Sequence, residues 1–325
     1  MPTNTQNSEK NHLVIDFRVD EGEHGRRLDQ VLAERVDGVS RGRLQQSLKE
    51  GDILCNDKKA KPKTSVCLGD KISGAVWCEV QVAHAPQAIA LDVLYHDQDI
   101  IVLNKPAGMV VHPAAGNHDG TLLNALLHYF PSTAELPRAG IVHRLDKDTS
   151  GLLVVAHSLR AHTHLVEQLQ ERTMGRTYLA LVHRYVTAGD TIDEPIGRHR
   201  SERVKMAVRS DGKAARTHYR IEERFDGVTL LRVQLESGRT HQIRVHMAHI
   251  HHPLVGDKVY GAQAHVPKGM SEVAREAVQQ FPRQALHAAE LHLTHPGSGE
   301  TMTFSAPLPD DFTALLDVLR VEQEA

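Results

Sequence analysis

Two aspartates lie among basic and hydroxyl side chains in one short segment of the sequence. Residues 143–151 read His-Arg-Leu-Asp-Lys-Asp-Thr-Ser-Gly, so that the aspartates are Asp146 and Asp148. A carboxylate in such surroundings can act as a nucleophile or as a general acid or base. A turn that these aspartates cap would explain the same residues without chemistry. The segment alone leaves both interpretations open.

The segment does not fit the nucleotide-binding motifs with which it shares letters. In a protein-kinase catalytic loop the aspartate directly follows His-Arg, whereas here Leu145 separates Arg144 from Asp146. The sequence also contains neither a Walker loop nor a glycine-rich dinucleotide fingerprint. These observations argue against a kinase, a P-loop NTPase and a dinucleotide-dependent enzyme.

Four segments in a fixed order surround the aspartates. They are residues 100–113, 140–156, 176–182 and 237–261, and they read IIVLNKPAGMVVHP, GIVHRLDKDTSGLLVVA, RTYLALV and SGRTHQIRVHMAHIHHPLVGDKVYG. This set resembles the RluA-type pseudouridine synthases over the stretch 92–307. The resemblance implies an enzyme that isomerises uridine to pseudouridine in RNA without a cofactor. Within the family, the match is best with enzymes of the large ribosomal subunit. It thus implies 23S rRNA, or a precursor of the subunit, as partner and the helix 69 stem-loop as target.

The resemblance also implies roles for individual residues. Asp146 matches the catalytic aspartate, and Arg244 matches the arginine that pairs with it, with Arg239 as a nearby alternative. Tyr178 matches the tyrosine that stacks on the target base, and Arg144 matches the residue that fills the space of the extruded base. The isomerisation breaks the N1–C1′ bond and joins C1′ to C5 without redox change. Whether Asp146 attacks C1′ or the base stays open.

Four histidines near Arg244 raise a metal-dependent hydrolase as an alternative. They are His246, His249, His251 and His252, and helical spacing would place two of them on one face. A zinc site needs a further ligand and an ordered second shell, and the sequence has no H-E-x-x-H motif. We therefore expect these histidines to cap a helix or face RNA, and we expect no metal.

Positive charge is concentrated locally although the whole chain has a net charge of −3. Residues 26–71 contain eleven Lys and Arg against seven Asp and Glu. Residues 25–72 resemble the S4 RNA-binding domain, in which two short helices precede a small β unit. Lys and Arg of such a domain contact RNA phosphates. The resemblance implies this role for Arg26, Arg27, Arg41, Arg43, Lys49, Lys58 and Lys59. A non-catalytic RNA-binding protein that uses the same surfaces is the remaining alternative.

The hydrophobic patterns predict an α+β fold. Apolar spacing predicts helices over 27–36 and 41–49, the second of them capped by Ser40. Further helices are expected after Thr121, after Thr240, from Leu159 with that residue facing inward, and at the C-terminus. Strands outnumber helices without alternating strictly with them. We therefore expect a small S4 domain (αα-β), followed by a catalytic domain with a mixed, largely antiparallel sheet flanked by helices and loops.

Composition and boundaries complete these expectations. We expect a disordered tail over 1–12, the S4 domain over 13–79, a linker over 80–90 and the catalytic domain over 91–325. The chain has 325 residues, of which 40% are hydrophobic, and no run reaches the roughly 20 apolar residues of a membrane helix. The first residues are polar, unlike a signal peptide, and the three cysteines form no close pair. We expect a cytoplasmic protein that is a monomer without membrane contact.

Overall fold

The computed structural model describes residues 11–36, 39, 41–78, 84–114, 116–202, 205–261 and 269–324. The chain separates into two compact units, Met1–His84 and Ala85–Ala325. Most of the predicted tail lies outside the described residues, but its last two residues, Asn11 and His12, belong to the first strand. Of the predicted linker, residues 84–90 have no regular structure, and residues 80–83 are not described.

The first unit packs two helices against a four-stranded sheet. Its elements are β1 (Asn11–Arg18), α1 (Leu28–Arg35), α2 (Arg41–Glu50), β2 (Ile53–Cys55), β3 (Lys58–Lys59) and β4 (Lys71–Cys78). The strand order is β1-β4-β2-β3, and each neighbouring pair is antiparallel. Both helices bury leucines against the sheet, among them Leu28, Leu32, Leu44 and Leu48. The two predicted helices are thus present, while Ser40, the predicted cap, lies outside the described residues.

The second unit is built on a large sheet with helices at its faces and edges. Its first elements are β5 (Val93–His96), β6 (Ile100–Lys105), α3 (Leu122–Tyr129), β7 (Ser150–Ala156), α4 (Leu159–Glu171), β8 (Gly175–His183), β9 (Asp190–Asp193), β10 (Ile196–Arg198) and β11 (Met206–Val208). They are followed by β12 (Arg216–Phe225), β13 (Val228–Leu235), α5 (Gln242–His249), α6 (Glu272–Gln280), β14 (Leu286–Thr294), β15 (Thr301–Ser305) and α7 (Asp310–Glu324). No helix in the part of the chain given above has both the length and the apolar character needed to cross a bilayer.

The large sheet is mixed and mostly antiparallel, which confirms the predicted fold class. Its strand order is β5-β6-β7-β14-β8-β13-β12-β9. Strand β15 pairs with residues 290–294 of β14, beyond the residues that pair with β7. The pair β7–β14 is parallel, whereas the other pairs along this order are antiparallel. A separate antiparallel pair is formed by β10 and β11. Strand β14 therefore lies between β7 and β8, which it follows by more than a hundred residues.

Local capping explains two helix starts and corrects one prediction. Thr121 is the N-cap of α3, as expected, and its backbone N–H donates to Asn124 Oδ1 at 3.1 Å. The hydroxyl of Ser158 accepts from the N–H of Ala161 at the start of α4. Leu159 was expected to face inward, but it is 63% exposed. It is the first residue of the helix, and its side chain points back towards the helix N-terminus, beyond the apolar face.

Candidate active site

Asp146 lies in the loop that leads into β7. Leu145 is buried in the main core beside it, and the N–H of Thr149 donates to the carbonyl of Asp146 at 3.1 Å. At the start of β7, Gly151 has a φ of 110° and lies against the backbone of Ala288 on β14. A side chain at that position would collide with the neighbouring strand. The loop is therefore held between the core and the sheet, and it presents Asp146 at the end of the parallel strand pair.

Arg244 connects Asp146 to a second, fully buried carboxylate. Its Nη1 donates to Asp146 Oδ2 at 3.0 Å, while Nε and Nη2 donate to Asp257 at 2.7 and 2.9 Å. Burial opposes the charge on Arg244, but its bonds to both aspartates hold its pKa above the usual value. Burial also opposes the charge on Asp257, and Arg244 holds the pKa of that carboxyl below its usual range. Asp257 thus fixes the guanidinium that orients Asp146.

One oxygen of Asp146 is left for a substrate. Oδ2 accepts the hydrogen bond from Arg244, and Oδ1 accepts none from any residue that the structure describes. The carboxylate lines an open pocket, whose other lining residues include Arg144, Tyr178 and His241. The guanidinium therefore fixes the carboxylate through one oxygen and leaves the other oxygen free to react.

Tyr178 forms a wall of the same pocket. It lies on β8 and is almost fully buried. Burial raises the pKa of Tyr178; the charge of Arg176 opposes this shift and the charge of Asp146 adds to it. The phenol therefore stays protonated at neutral pH. The structure thus brings together the three residues that were expected to be catalytic, Asp146, Tyr178 and Arg244.

Sequence reasoning missed His241, which lies near the aspartate, and Tyr260, which contacts His241. His241 Nδ1 and Tyr260 Oη are 2.8 Å apart, and His241 Nε2 is 4.0 Å from Asp146 Oδ2. His241, with a φ of 57°, is also the residue that precedes α5, so the prediction that Thr240 caps this helix is wrong. The preceding turn folds instead around the side chain of Gln242, whose Oε1 accepts from Ser237 Oγ and from the N–H of residue 239.

Lys105 holds the loop of Asp146 through hydrogen bonds to main-chain carbonyl groups. Its ammonium group, at the end of β6, donates to the carbonyls of Pro106, Met109 and Lys147 at 2.7, 3.0 and 3.0 Å. Burial lowers the pKa of Lys105 to about 7, while nearby aspartates, including Asp146, oppose the shift. The side chain joins this loop to the loop after β6, which is also linked to it by a hydrogen bond from the N–H of Gly108 to the carbonyl of Lys147 at 2.9 Å. It therefore positions the catalytic loop without reaching the pocket.

Replacing Lys105 with methionine should destabilise the protein and slow the reaction. The carbonyl groups of Pro106 and Met109 would lose this donor, and that of Lys147 would keep only the N–H of Gly108. We expect this loss to cost about 3 kcal/mol of unfolding free energy. A shift of the loop would misplace Asp146 and lower kcat by about 10²-fold. Urea unfolding and single-turnover assays measure the two effects. Lys147→Met, at an exposed side chain of the same loop, should leave stability within about 0.5 kcal/mol; equal losses in both variants would contradict the supporting role.

The other two arginines near the pocket behave differently from Arg244. Arg144 is exposed at the pocket mouth, and its guanidinium makes no ion pair or hydrogen bond with the residues described here. Arg239 also lines the pocket, but its Nε donates to the carbonyl of Ala214 at 3.1 Å. The alternative pairing of Arg239 with Asp146 is therefore not formed.

Two of the four histidines after Arg244, His246 and His252, make hydrogen-bond contacts within the protein, whereas His249 and His251 are exposed. His246 is fully buried, with Nδ1 2.8 Å from Thr217 Oγ1 and Nε2 2.9 Å from the carbonyl of Glu194. His252 Nδ1 lies 3.1 Å from the carbonyl of His183. In the described parts of the chain, no three His, Cys, Asp or Glu side chains are grouped so as to hold a metal ion. The donor atoms of His246 are thus engaged in structural contacts, which does not favour the hydrolase alternative.

The first unit arranges several of its basic residues around one buried carboxylate. Asp29 on α1 accepts from Arg27 and from Arg41 on α2, at 3.0 and 2.9 Å, and from Gln45 at 2.6 Å. Burial opposes the charge of Asp29, but the two arginines hold its pKa well below the usual range. Both guanidinium groups stay partly exposed, so Asp29 fixes two cations at the surface of the helix pair.

The remaining basic residues of this unit are distributed around the pair. Arg26 contacts Glu34, and Arg43 Nη1 is 3.9 Å from Glu50. Lys59 donates to the carbonyl of Glu50 at 3.2 Å. Lys49 and Lys58 are exposed on α2 and β3. The expected RNA-binding residues are thus all at least partly accessible.

Known proteins match the chain in both units. Residues 99–249 match the family model described as RNA pseudouridylate synthase, and residues 26–72 match the S4 domain. The chain is 53% identical over 313 residues to "Ribosomal large subunit pseudouridine synthase D" of Escherichia coli O6:H1, which covers 96% of each protein. It is 52% identical over 296 residues to the protein of that name from Xanthomonas campestris pv. campestris, covering 91% and 89%.

A solved structure agrees with these matches. "Human RNA Pseudouridylate Synthase Domain Containing 1" aligns with a TM-score of 0.54 and 28% identity, over 70% of this chain and 89% of that one. The relatives cover nearly the whole chain at more than half identity. This confirms the expectation that the four ordered segments raised. The chain therefore belongs to the RNA pseudouridylate synthase family and has an S4 domain before its synthase domain.

Proposed function

We propose that this enzyme isomerises uridines of 23S rRNA in the helix 69 stem-loop, with Asp146 as its catalytic carboxylate. The observation that carries the mechanism is the chain of contacts from Asp257 through Arg244 to Asp146 in a pocket walled by Tyr178. The names of the relatives from Escherichia coli and Xanthomonas campestris support the large ribosomal subunit as the source of the RNA. We place the enzyme in the cytoplasm as a monomer, in keeping with the free thiols of Cys55 and Cys67.

The reaction requires little beyond a positioned carboxylate. The N1–C1′ bond breaks, the uracil turns, and C5 bonds to C1′; the proton of C5 leaves and N1 gains one. Oδ1 of Asp146, the oxygen that Arg244 does not engage, bonds transiently to the target nucleotide and is released when the new C–C bond is complete. Tyr178, kept protonated by burial, packs against the base. Every heavy atom of the uridine is retained, and the proton lost from C5 is matched by the proton gained at N1, so the isomerisation balances without a co-reactant.

The target base has to leave its stack to reach Asp146. Extrusion costs a few kcal/mol, less for an unpaired loop nucleotide, which favours a stem-loop as substrate. Arg144 is exposed at the pocket mouth, one residue before the buried Leu145. Its planar guanidinium can stack on the remaining bases and contact a phosphate at the same time. These properties support Arg144 as the residue that occupies the space of the extruded base.

Pseudouridine mapping tests the proposed substrate. Ribosomal RNA from a strain without this gene should lack the pseudouridines of helix 69, and a plasmid copy of the wild-type gene should restore them. The purified enzyme should form the same pseudouridines in large-subunit RNA from the deletion strain. Helix 69 modification that persists in the deletion strain would rule out this target. Loss of pseudouridine at another position would identify the true one.

Neutralising Lys58 should weaken RNA binding through charge alone. This side chain is exposed on β3. Each lost phosphate contact makes the plot of log K against log salt less steep, by about 0.7 for a single strand and about 0.9 for a DNA duplex. We expect Lys58→Ala to show this loss with an unchanged unfolding midpoint. Lys58→Arg keeps the charge and should bind as the wild type does. Identical salt slopes for all three proteins would remove Lys58 from the RNA-binding surface.

A further inference from the structure

Arg176 is a mostly buried cation for which the described residues provide no partner. It lies on β8, is 7% exposed, and its Nε forms no hydrogen bond although it is closed off from solvent. No ion pair or hydrogen bond joins its guanidinium to any residue within the described ranges. The other nearly buried arginines of this unit differ, since Arg244 and Arg283 are both bound by carboxylates at 2.7 Å.

An unpaired buried charge is costly, and native proteins rarely keep one. The penalty for each buried ion is several kcal/mol unless an opposite charge or hydrogen-bond acceptors compensate it. The described residues provide no such group here, because Asp146, the carboxylate that lines the pocket, is engaged by Arg244. A compensating anion that arrives with the substrate would resolve this imbalance.

The position of Arg176 defines which part of the substrate it can meet. Side chains alternate along a strand, so Arg176 and Tyr178 point to the same side of β8, about 7 Å apart. Arg176 lines the pocket of Asp146 and also a neighbouring groove. It therefore lies where the base pocket opens into the groove.

The groove next to the pocket has the charge expected for a polyanion. Its acidic lining residue is Glu236, which pairs with Arg172 at 2.8 Å. The basic side chains that line it are Arg138, Arg144, Arg172, Arg176 and Arg239. The main chain at Gly238 passes so close that a Cβ there would lie 2.8 Å from Arg176 Nη1, which confines the guanidinium at the junction.

We propose that Arg176 binds a phosphodiester group next to the extruded uridine, at the junction of the pocket and the groove. This inference rests on the proposed function, since it takes RNA as the substrate. A base against Tyr178 brings its own backbone within reach of a side chain two residues away on the same face. A guanidinium suits the task because its parallel N–H groups match two phosphate oxygens. In the free enzyme the site is unfavourable, and binding of the RNA backbone supplies the missing anion.

The test combines Arg176→Met with chemical neutralisation of single phosphates. The probe is a stem-loop RNA with the helix 69 sequence, made with all natural linkages or with one uncharged methylphosphonate on either side of the target uridine. We expect Arg176→Met to raise Kd by about 10- to 100-fold, the effect of losing a hydrogen bond to a charged group. One of the two modified RNAs should bind the wild type as weakly as natural RNA binds Arg176→Met. The same modified RNA and natural RNA should bind Arg176→Met with equal affinity.

Stability and a second arginine separate this role from a structural one. Arg176→Met removes an uncompensated charge, so its unfolding midpoint should equal or exceed that of the wild type. Arg172→Met, which changes an arginine of the same groove that already has a carboxylate partner, should still discriminate between natural and modified linkages. A lower midpoint with unchanged Kd, or methylphosphonate effects of equal size in the wild type and Arg176→Met, would overturn the inference. If the wild type neither binds nor isomerises the natural RNA, the proposed function itself fails.

Discussion

Asp146→Asn protein should bind RNA as the wild type does and form no detectable pseudouridine. The amide keeps the shape of the side chain and can still accept from Arg244 through its oxygen, so the pocket stays assembled. It lacks the nucleophilic oxygen, and removal of a nucleophile lowers kcat by about 10⁴-fold or more. Filter binding measures the affinity, and release of tritium from uracil C5 measures the reaction.

The neighbouring aspartate provides the matched control. Asp148 lies in the same loop, and its backbone carbonyl accepts from Arg283 at 3.1 Å, whereas its carboxylate is not part of the pocket lining. Asp148→Asn should therefore keep most of the activity. If Asp146→Asn still isomerised uridine, the mechanism proposed for this aspartate would be wrong. Equal losses in the two variants would point to a damaged loop in place of a lost nucleophile.

Asp257→Asn should be the most destabilising single substitution in the site. Arg244 would keep its charge but lose the carboxylate that receives two of its N–H groups, and breaking such a buried pair costs about 3 to 5 kcal/mol. The freed guanidinium would no longer hold Asp146 in place, so kcat should fall as well. Urea unfolding at pH 7 and single-turnover kinetics measure the two losses.

The difference in unfolding free energy between the wild type and Asp257→Asn should depend on pH in one direction. Asp257 has a lower pKa in the folded protein than its usual value, so its contribution is complete above the unfolded pKa of about 4. This contribution is lost as the pH falls towards the folded pKa. The excess in unfolding free energy of the wild type over Asp257→Asn should therefore decrease on acidification. Asp193→Asn removes a carboxylate that pairs with Arg216 at the surface and should unfold at the wild-type urea concentration. A difference in unfolding free energy between the wild type and Asp257→Asn that stays constant down to pH 3 would contradict the ion pair of Asp257 with Arg244.

Local patterns were sufficient for the elements that have local causes. Apolar spacing predicted α1 and α2, and a threonine before an apolar run predicted the start of α3. The pattern could not reveal that β14 inserts between β7 and β8, because pairing between distant strands depends on the assembled core. The inward prediction for Leu159 failed for a related reason: the first turn of a helix can extend past the surface on which the helix packs.

The site was predictable where the family motifs are contiguous and was missed elsewhere. Asp146 and Arg244 are 98 positions apart. The family resemblance predicted that they pair, although their distance in sequence gives no sign of it. Asp257 follows a glycine and looks like a turn residue in sequence, since only its contact with Arg244 shows its role. Arg176 was open to inference, because the alternation along a strand puts it beside Tyr178. What no pattern could show is that the described part of the chain offers this arginine no hydrogen-bond or ion-pair partner.

The insertion of β14 sets the order in which the enzyme becomes complete during translation. The first unit has all its strands once residue 78 has been made, so it can fold while the rest of the chain is still in synthesis. The large sheet cannot be completed until residues 286–294 have left the ribosome. Strand β14, formed by these residues, joins β7, which follows Asp146, to β8, which contains Tyr178. Such long-range pairing folds slowly. A nascent chain thus has a folded S4 domain well before it has an active site, and a chain cut short before β14 would keep the former and never form the latter.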